Sequence, residues 1–326
     1  MEPRWQLDGA SLAQRIVDLV RPAVSEGAEL VALPALLGWG LAGPRLGLPL
    51  EAPYGLEALG TLELSQPDVG RALRRASEEA TDVYCQAAQA LGVWLVGGSM
   101  PQVSEGDRLY NAAPVVDLGG KVKGWQRQTH LSRVERTWGL SRGEDLSVIE
   151  TPAGRLGLLL REDVYYPEVG RFLCLLGANV LVHQGSWHTS GQVLIHNNCG
   201  ENQNLSAGQV LIRDNYSENQ DLSIGQAEWM SRLWREVQAN QVFGLESVLV
   251  GGGYRGRATV HAPLEMTSGR DGVLAQAGSD NMDEVLLTEL DLQALQAVVD
   301  YYPIYDMLNE DMYQRYFPAL YERVRE

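Results

Sequence analysis

The sequence predicts an α/β protein whose mixed sheets are covered by helices. Three observations carry this reading. Stretches with apolar residues at helical spacing alternate with short apolar runs of strand length. Several of those runs are joined by tight turns containing Gly or Pro, which makes the sheets mixed rather than purely parallel. No linker interrupts the 326 residues, so residues 1–326 read as one domain of layered sheets and helices.

Residues 11–26 place Leu12, Ile16, Val17, Leu19, Val20 and Val24 on one helical stripe, and Gly27 is its stop signal. Residues 29–33 read as a buried strand ending at Pro34. A Gly/Pro/Leu-rich loop follows, and then residues 67–91 form a long helix closed by Gly92. Residues 93–97 are a strand. Residues 109–118 and 121–125 form a hairpin around Gly119-Gly120. Residues 147–150 and 156–160 are strands joined at Pro152–Gly154, followed by a helix at 167–176 and a strand at 179–183. Beyond an insert, 226–243 read as helix. Residues 247–251, 257–261, 272–277 and 284–289 read as strands and 291–299 as helix. The tail, residues 301–326, is rich in Tyr and Phe, which equally suit intrachain packing or an interface.

Composition narrows the partners. The formal net charge is −16, which disfavours nucleic acid and anionic membrane surfaces. No apolar run is long enough for a membrane span, and the N-terminal residues lack a signal-peptide core. Cys85, Cys174 and Cys199 are widely spaced and give neither a disulfide framework nor metal-ligand spacing. A reduced, cytoplasmic protein without cofactor or metal is expected.

The insert, residues 188–225, holds a tandem repeat. GQVLIHNNCGENQNLS starts at Gly191 and GQVLIRDNYSENQDLS at Gly208, with eleven of sixteen positions identical at a spacing of 17. Two units are too few for a solenoid. A tolerated surface duplication is the plainer reading, and a lid or partner-binding loop the functional one.

Several segments, in order and spacing, resemble the carbon–nitrogen hydrolase (nitrilase) superfamily. Residues 28–36 (AELVALPAL) resemble its first signature, and residues 120–131 (GKVKGWQRQTHL) its second. Residues 157–168 (GLLLREDVYYPE) resemble its third, a strand running into a nucleophile elbow. The stretches 177–187 (GANVLVHQGSW) and 256–263 (GRATVHAP) add support, and the likeness runs from about residue 10 to 295. It implies a four-layer αββα sandwich, assembled as a homodimer or larger homo-oligomer.

The resemblance also implies a chemistry: a Glu base, a Lys holding the developing oxyanion, and a Cys attacking an amide or nitrile carbon. Carried across, these positions hold Ala35, Gln128 and Arg161. Ala35 cannot move a proton, Gln128 carries no charge, and Arg161 stays protonated and cannot attack a carbonyl. Loss of such a nucleophile costs on the order of 10⁶ in rate. Glu135 matches a further acid of the pattern that orients the lysine, Glu162 and Asp163 follow the elbow, and Trp187 falls where the family lines its pocket. Cys174 and Cys85 read as buried structural thiols, and Cys199 has Tyr216 as its counterpart in the second repeat.

An unpaired guanidinium at a buried strand end is unfavourable, so Arg161 is expected to pair with Glu135, or locally with Glu162 or Asp163. Three functions stay open. One is a catalytically degenerate scaffold whose Glu135, Arg161, Gln128, Glu162 and Trp187 bind a small carboxylate or amide, or which binds a protein partner. The others are a hydrolase with rearranged residues and a structural subunit of an oligomer. The family's opening strand is expected to be missing or rewritten in residues 1–9.

Overall fold

The computed structural model describes residues 8–46, 67–188, 231–251 and 254–323. The expectation for the opening strand and those for the repeats and Cys199 fall largely or wholly outside these residues. The chain divides into two compact units, residues 1–290 and 291–326.

In the first unit, α1 (Gly9–Ser25) starts where the Asp8 carboxylate accepts the Ser11 amide at 2.8 Å, an N-cap bond that satisfies one orphan helix donor. Its stripe of Leu12, Ile16, Val17 and Val20 packs on α3 (Pro67–Leu91) in a core with Val83, Tyr84, Ala87 and Leu95. The short α2 (Ala42–Arg45) lies between them in the chain.

The first sheet is built on β4 (Leu109–Val116), which is buried along its whole length. One edge of β4 takes β2 (Trp94–Val96) and then β3 (Met100–Val103), both antiparallel; the other takes β5 (Val122–Arg127). β1 (Leu30–Ala32) pairs with β2 in parallel. The strand β3 was not expected from the sequence. Pro101 speaks against a central strand, and β3 meets that restriction by lying at an edge, where a missing N–H is tolerated.

The second sheet has the order β13-β12-β10-β8-β7-β6. β7 (Gly154–Leu160), β8 (Val180–Gly185) and β10 (Phe243–Val248) run parallel; β6 (Val148–Thr151), β12 (Thr259–His261) and β13 (Val273–Gln276) are antiparallel additions. The inner strands β7 and β8 are buried along their length except at Arg155 and are mostly apolar, as expected for strands covered on both faces. The helices α5 (Pro167–Leu175) and α6 (Arg232–Asn240) cover it. This is the αββα layering with mixed sheets that the resemblance implied. Gln184 ties the layers together: its amide donates to the carbonyls of Leu33 and Gly97, both at 2.8 Å.

Two boundaries differ from the sequence reading. The helix expected to reach residue 243 stops at Asn240, because Gln241 is left-handed (φ 51°), and the strand expected at 247–251 already starts at Phe243. Residues 284–289 hold a short apolar run, Val285–Leu287, but form no ladder. In the second unit, the Asp291 side chain caps α7 (Leu292–Tyr301), and α8 (Glu310–Arg323) follows. Tyr301, Tyr302, Met307, Met312, Tyr316 and Phe317 there are exposed.

Gly244 sets how closely α6 approaches β10. A Cβ there would lie 2.5 Å from Val237 Cγ2 and 3.0 Å from Leu233 Cδ2, both fully buried side chains. Gly244→Ala is expected to lower stability by about 1–3 kcal/mol through overpacking. The shift of the urea unfolding midpoint measures it, and an unchanged midpoint would contradict this packing.

Candidate functional site

Gln128 follows β5, and its backbone is fixed on both sides: its N–H donates to the Asn111 carbonyl at 2.9 Å and its carbonyl accepts the Gly143 amide at 2.8 Å. Its side chain is oriented by a buried relay. Trp39 Nε1 donates to Asn111 Oδ1 at 2.9 Å, and Asn111 Nδ2 donates to Gln128 Oε1 at 2.8 Å. The Gln128 Nε2 group therefore points its hydrogens at acceptors: the His130 carbonyl at 2.7 Å, Glu162 Oε2 at 3.0 Å and Glu135 Oε2 at 3.2 Å.

Glu135 sits in the first turn of α4 (Arg133–Thr137), and its place is set locally. Ser132 and Glu135 form a capping box: Glu135 N–H donates to Ser132 Oγ at 3.2 Å, and Ser132 N–H donates to Glu135 Oε2 at 2.8 Å. This S-x-x-E pattern was present in the sequence and went unused in its reading. The carboxylate is 1% exposed.

Arg161 ends β7 at the elbow with φ 51°, a left-handed conformation costing a non-glycine residue roughly 1–2 kcal/mol. Its side chain turns inward. Nε lies 2.7 Å from Glu135 Oε1 and 3.3 Å from Glu162 Oε2, and Nη1 donates to Ser186 Oγ at 2.5 Å. The expected Arg161–Glu135 pair is thus present, with Glu162 as a second partner.

Two carboxylates face one guanidinium here. Burial alone would lower the Arg161 pKa, but the charges of Glu162 and Glu135, with Tyr254 beyond, hold it above the ordinary arginine value. Glu162 moves the other way from a free carboxylate. Burial and the neighbouring Glu135 raise its pKa, and Arg161 offsets this only in part.

Asp163 is not available for chemistry. Its buried carboxylate accepts the amides of Leu160 (3.2 Å), Thr129 (3.0 Å) and His130 (2.7 Å) and the Thr129 hydroxyl (2.7 Å), so it splices the end of β5 to the elbow. His130 stacks on Tyr166 at 3.7 Å.

The structure thus brings together Gln128, Glu135, Arg161 and Glu162. Ala35, fully buried, belongs to an adjoining apolar cluster with Leu36, Trp39, Leu131, Trp138 and Tyr254. Trp187 contributes backbone to β9 (Trp187–His188), paired with β11 (Tyr254–Arg255); its side chain lies outside the described set. Cys174 is buried, as expected, whereas Cys85 is only half-buried. Sequence reasoning missed Asn111, Ser186, His183 and Glu246. His183 and Glu246 are ionisable side chains on largely apolar strands, a detectable signal. Ser186 and Asn111 carry none.

The αββα sandwich and the elbow at the end of β7 define the class. The family model described as carbon-nitrogen hydrolase matches residues 1–299, and the chain belongs to that family. Its sequence is 26% identical to the Omega-amidase NIT2 of Xenopus tropicalis over 182 residues, 53% of this chain and 57% of that protein. The match therefore spans little more than half of that relative. In fold it is similar to a carbon-nitrogen hydrolase from Helicobacter pylori G27 (TM-score 0.68, 20% identity, 94% of this chain and 92% of that one). It is also similar to an amidase from Nesterenkonia sp. AN1, in a structure showing covalent addition of the acetamide moiety of fluoroacetamide at the active-site cysteine. There the TM-score is 0.55 and the identity 18%, over 84% and 82% of the chains. Among the described residues no helix is long and apolar enough to cross a membrane, and no group of three His, Cys, Asp or Glu could hold a metal.

A raised carboxyl pKa has a defined consequence for stability. The protonated Glu162 contributes stability below its unfolded pKa, and this is lost as pH rises through the higher folded pKa. Glu162→Gln keeps the neutral form at every pH. It is expected to unfold at higher urea than wild type near neutral pH, with the gain vanishing below about pH 4. A gain that persists unchanged into acid would contradict the assignment.

Proposed function

We propose that this chain is a catalytically silent member of the carbon–nitrogen hydrolase family. Its three catalytic positions hold Ala35, Gln128 and Arg161, and none of these side chains can act as base, oxyanion cation or thiol nucleophile. One observation carries the reading: the Arg161 side chain folds back from the elbow onto Glu135, Glu162 and Ser186. A cation anchored by two carboxylates neither attacks nor leaves room for a thiol's substrate. The amidase with a covalently modified cysteine needs a nucleophile that this elbow does not carry.

The same cluster bears on ligand class. With Glu135 and Glu162 both ionised, it has one more negative than positive charge, so a carboxylate ligand is disfavoured and a neutral amide is the better match. Gln128, Glu162 and Trp187 are the residues we assign to such a ligand. The absence of a cofactor, a cytoplasmic setting and assembly as a homo-oligomer complete the proposal.

A second reading, a hydrolase using rearranged residues, is favoured by one group. Glu162 is 24% exposed on its side chain and holds its proton more tightly than a free carboxyl, as a general acid would. Glu135 and Asp163 do not serve it, because both carboxylates are engaged.

Turnover of simple ω-amides and nitriles separates the two readings. Wild type is expected to show no rate above background. The combined Ala35→Glu, Gln128→Lys and Arg161→Cys variant is expected to gain a measurable one. Wild-type turnover abolished by Glu162→Gln would establish the second reading and overturn the first.

A further inference from the structure

A second set of ionisable groups lies behind the elbow, and the reading above does not use it. His183 on β8 is buried, and each of its ring nitrogens faces an acceptor. Nε2 lies 3.1 Å from the Arg161 carbonyl oxygen and Nδ1 2.9 Å from Glu246 Oε1 on β10. A neutral imidazole has a single N–H and cannot satisfy both. The geometry requires one further proton between His183 and Glu246. Glu246 itself favours the ionised form: burial opposes this, but the hydrogen bond and charge of His183, the Ser231 hydroxyl and His261 outweigh it. With the carboxylate ionised, both acceptors are met when each ring nitrogen carries a proton.

We propose that this buried pair is a proton-operated clamp on the elbow: doubly protonated His183 holds the Arg161 carbonyl, and loss of one proton releases it. When one N–H remains, the carboxylate keeps it at Nδ1, since the charge-assisted bond is the stronger one. The Nε2 lone pair then opposes the carbonyl oxygen, and the two repel. Arg161 is held left-handed at this point, so release loosens the elbow backbone that carries the guanidinium.

The groups facing the pair fit this role. From the elbow after β7 comes the Arg161 carbonyl, from β10 Glu246, from the start of α6 Ser231, and from β12 His261. His261 points Nδ1 at the Gly272 carbonyl (3.1 Å), and burial keeps its pKa below the ordinary histidine value, although Glu246 and Asp271 pull the other way. The clamp stands independently of whether the site turns over a substrate.

Phenylglyoxal labelling of Arg161 across a pH series, read by peptide mass spectrometry and normalised to the exposed Arg71, tests the clamp. Protection in wild type is expected to fall about tenfold per pH unit above the transition, as for opening linked to one proton. His183→Gln offers an amide N–H to the carbonyl at every pH, so its protection is expected not to change. Wild-type protection independent of pH, or the same pH dependence in His183→Gln, overturns the proposal. Should that variant fail to fold, ¹⁵N spectra of labelled wild type at about pH 6 decide: two protonated ring nitrogens on His183 support the clamp, and one overturns it.

Discussion

A carboxylate that is 1% exposed must have a cation or surrender its charge, and Glu135 is that carboxylate. Its position is not negotiable, because the capping box with Ser132 fixes it at the start of α4. Around this point the neighbouring choices follow. Gln128 offers amide hydrogens but no charge, so the cation comes from the elbow. Arg161 supplies it through Nε, and its Nη1 reaches Ser186, which directly follows β8. The ion pair thereby links β5, α4, β7 and β8 across the two sheets.

The backbone serves the same end. A left-handed arginine at the end of β7 is unfavourable by itself, and the elbow is held by interactions on either side. Asp163 gathers the amides of Leu160, Thr129 and His130, while His183 meets the Arg161 carbonyl from below. Of Glu135, Glu162 and Asp163, Glu162 is the one that reaches solvent. Its raised pKa reflects burial first and the neighbouring Glu135 carboxylate second, which Arg161 only partly offsets. The family's fold is intact, and the proposed loss of thiol chemistry lies in a repacking of charge within it.

Much of this was legible in the sequence, and for physical reasons. Periodicity located α1, α3 and the β4–β5 hairpin because each buries one clean apolar face or a whole apolar run. The elbow and its pairing with Glu135 were legible because a charge at a buried strand end demands a partner. The end of α6 was not, since nothing about Gln241 signals a left-handed residue. β3 was hidden by Pro101, which an edge strand tolerates. Residues 284–289 have the short apolar run of a strand, but such a run does not by itself provide an edge to pair with. The His183–Glu246 pair escaped because its members are far apart in sequence, and only the parallel register of β8 and β10 aligns them.

The central claim is that Glu135 needs one buried cation and that Arg161 provides it in place of a lysine at position 128. A double-mutant cycle on Arg161→Ala and Gln128→Lys, read by urea unfolding, tests this most directly. Arg161→Ala alone is predicted to lose about 3–5 kcal/mol, as expected when a buried pair is broken. Adding Gln128→Lys is predicted to recover most of that loss. If the two substitutions instead destabilise independently and their effects simply add, Glu135 is not the constraint on which this site is built.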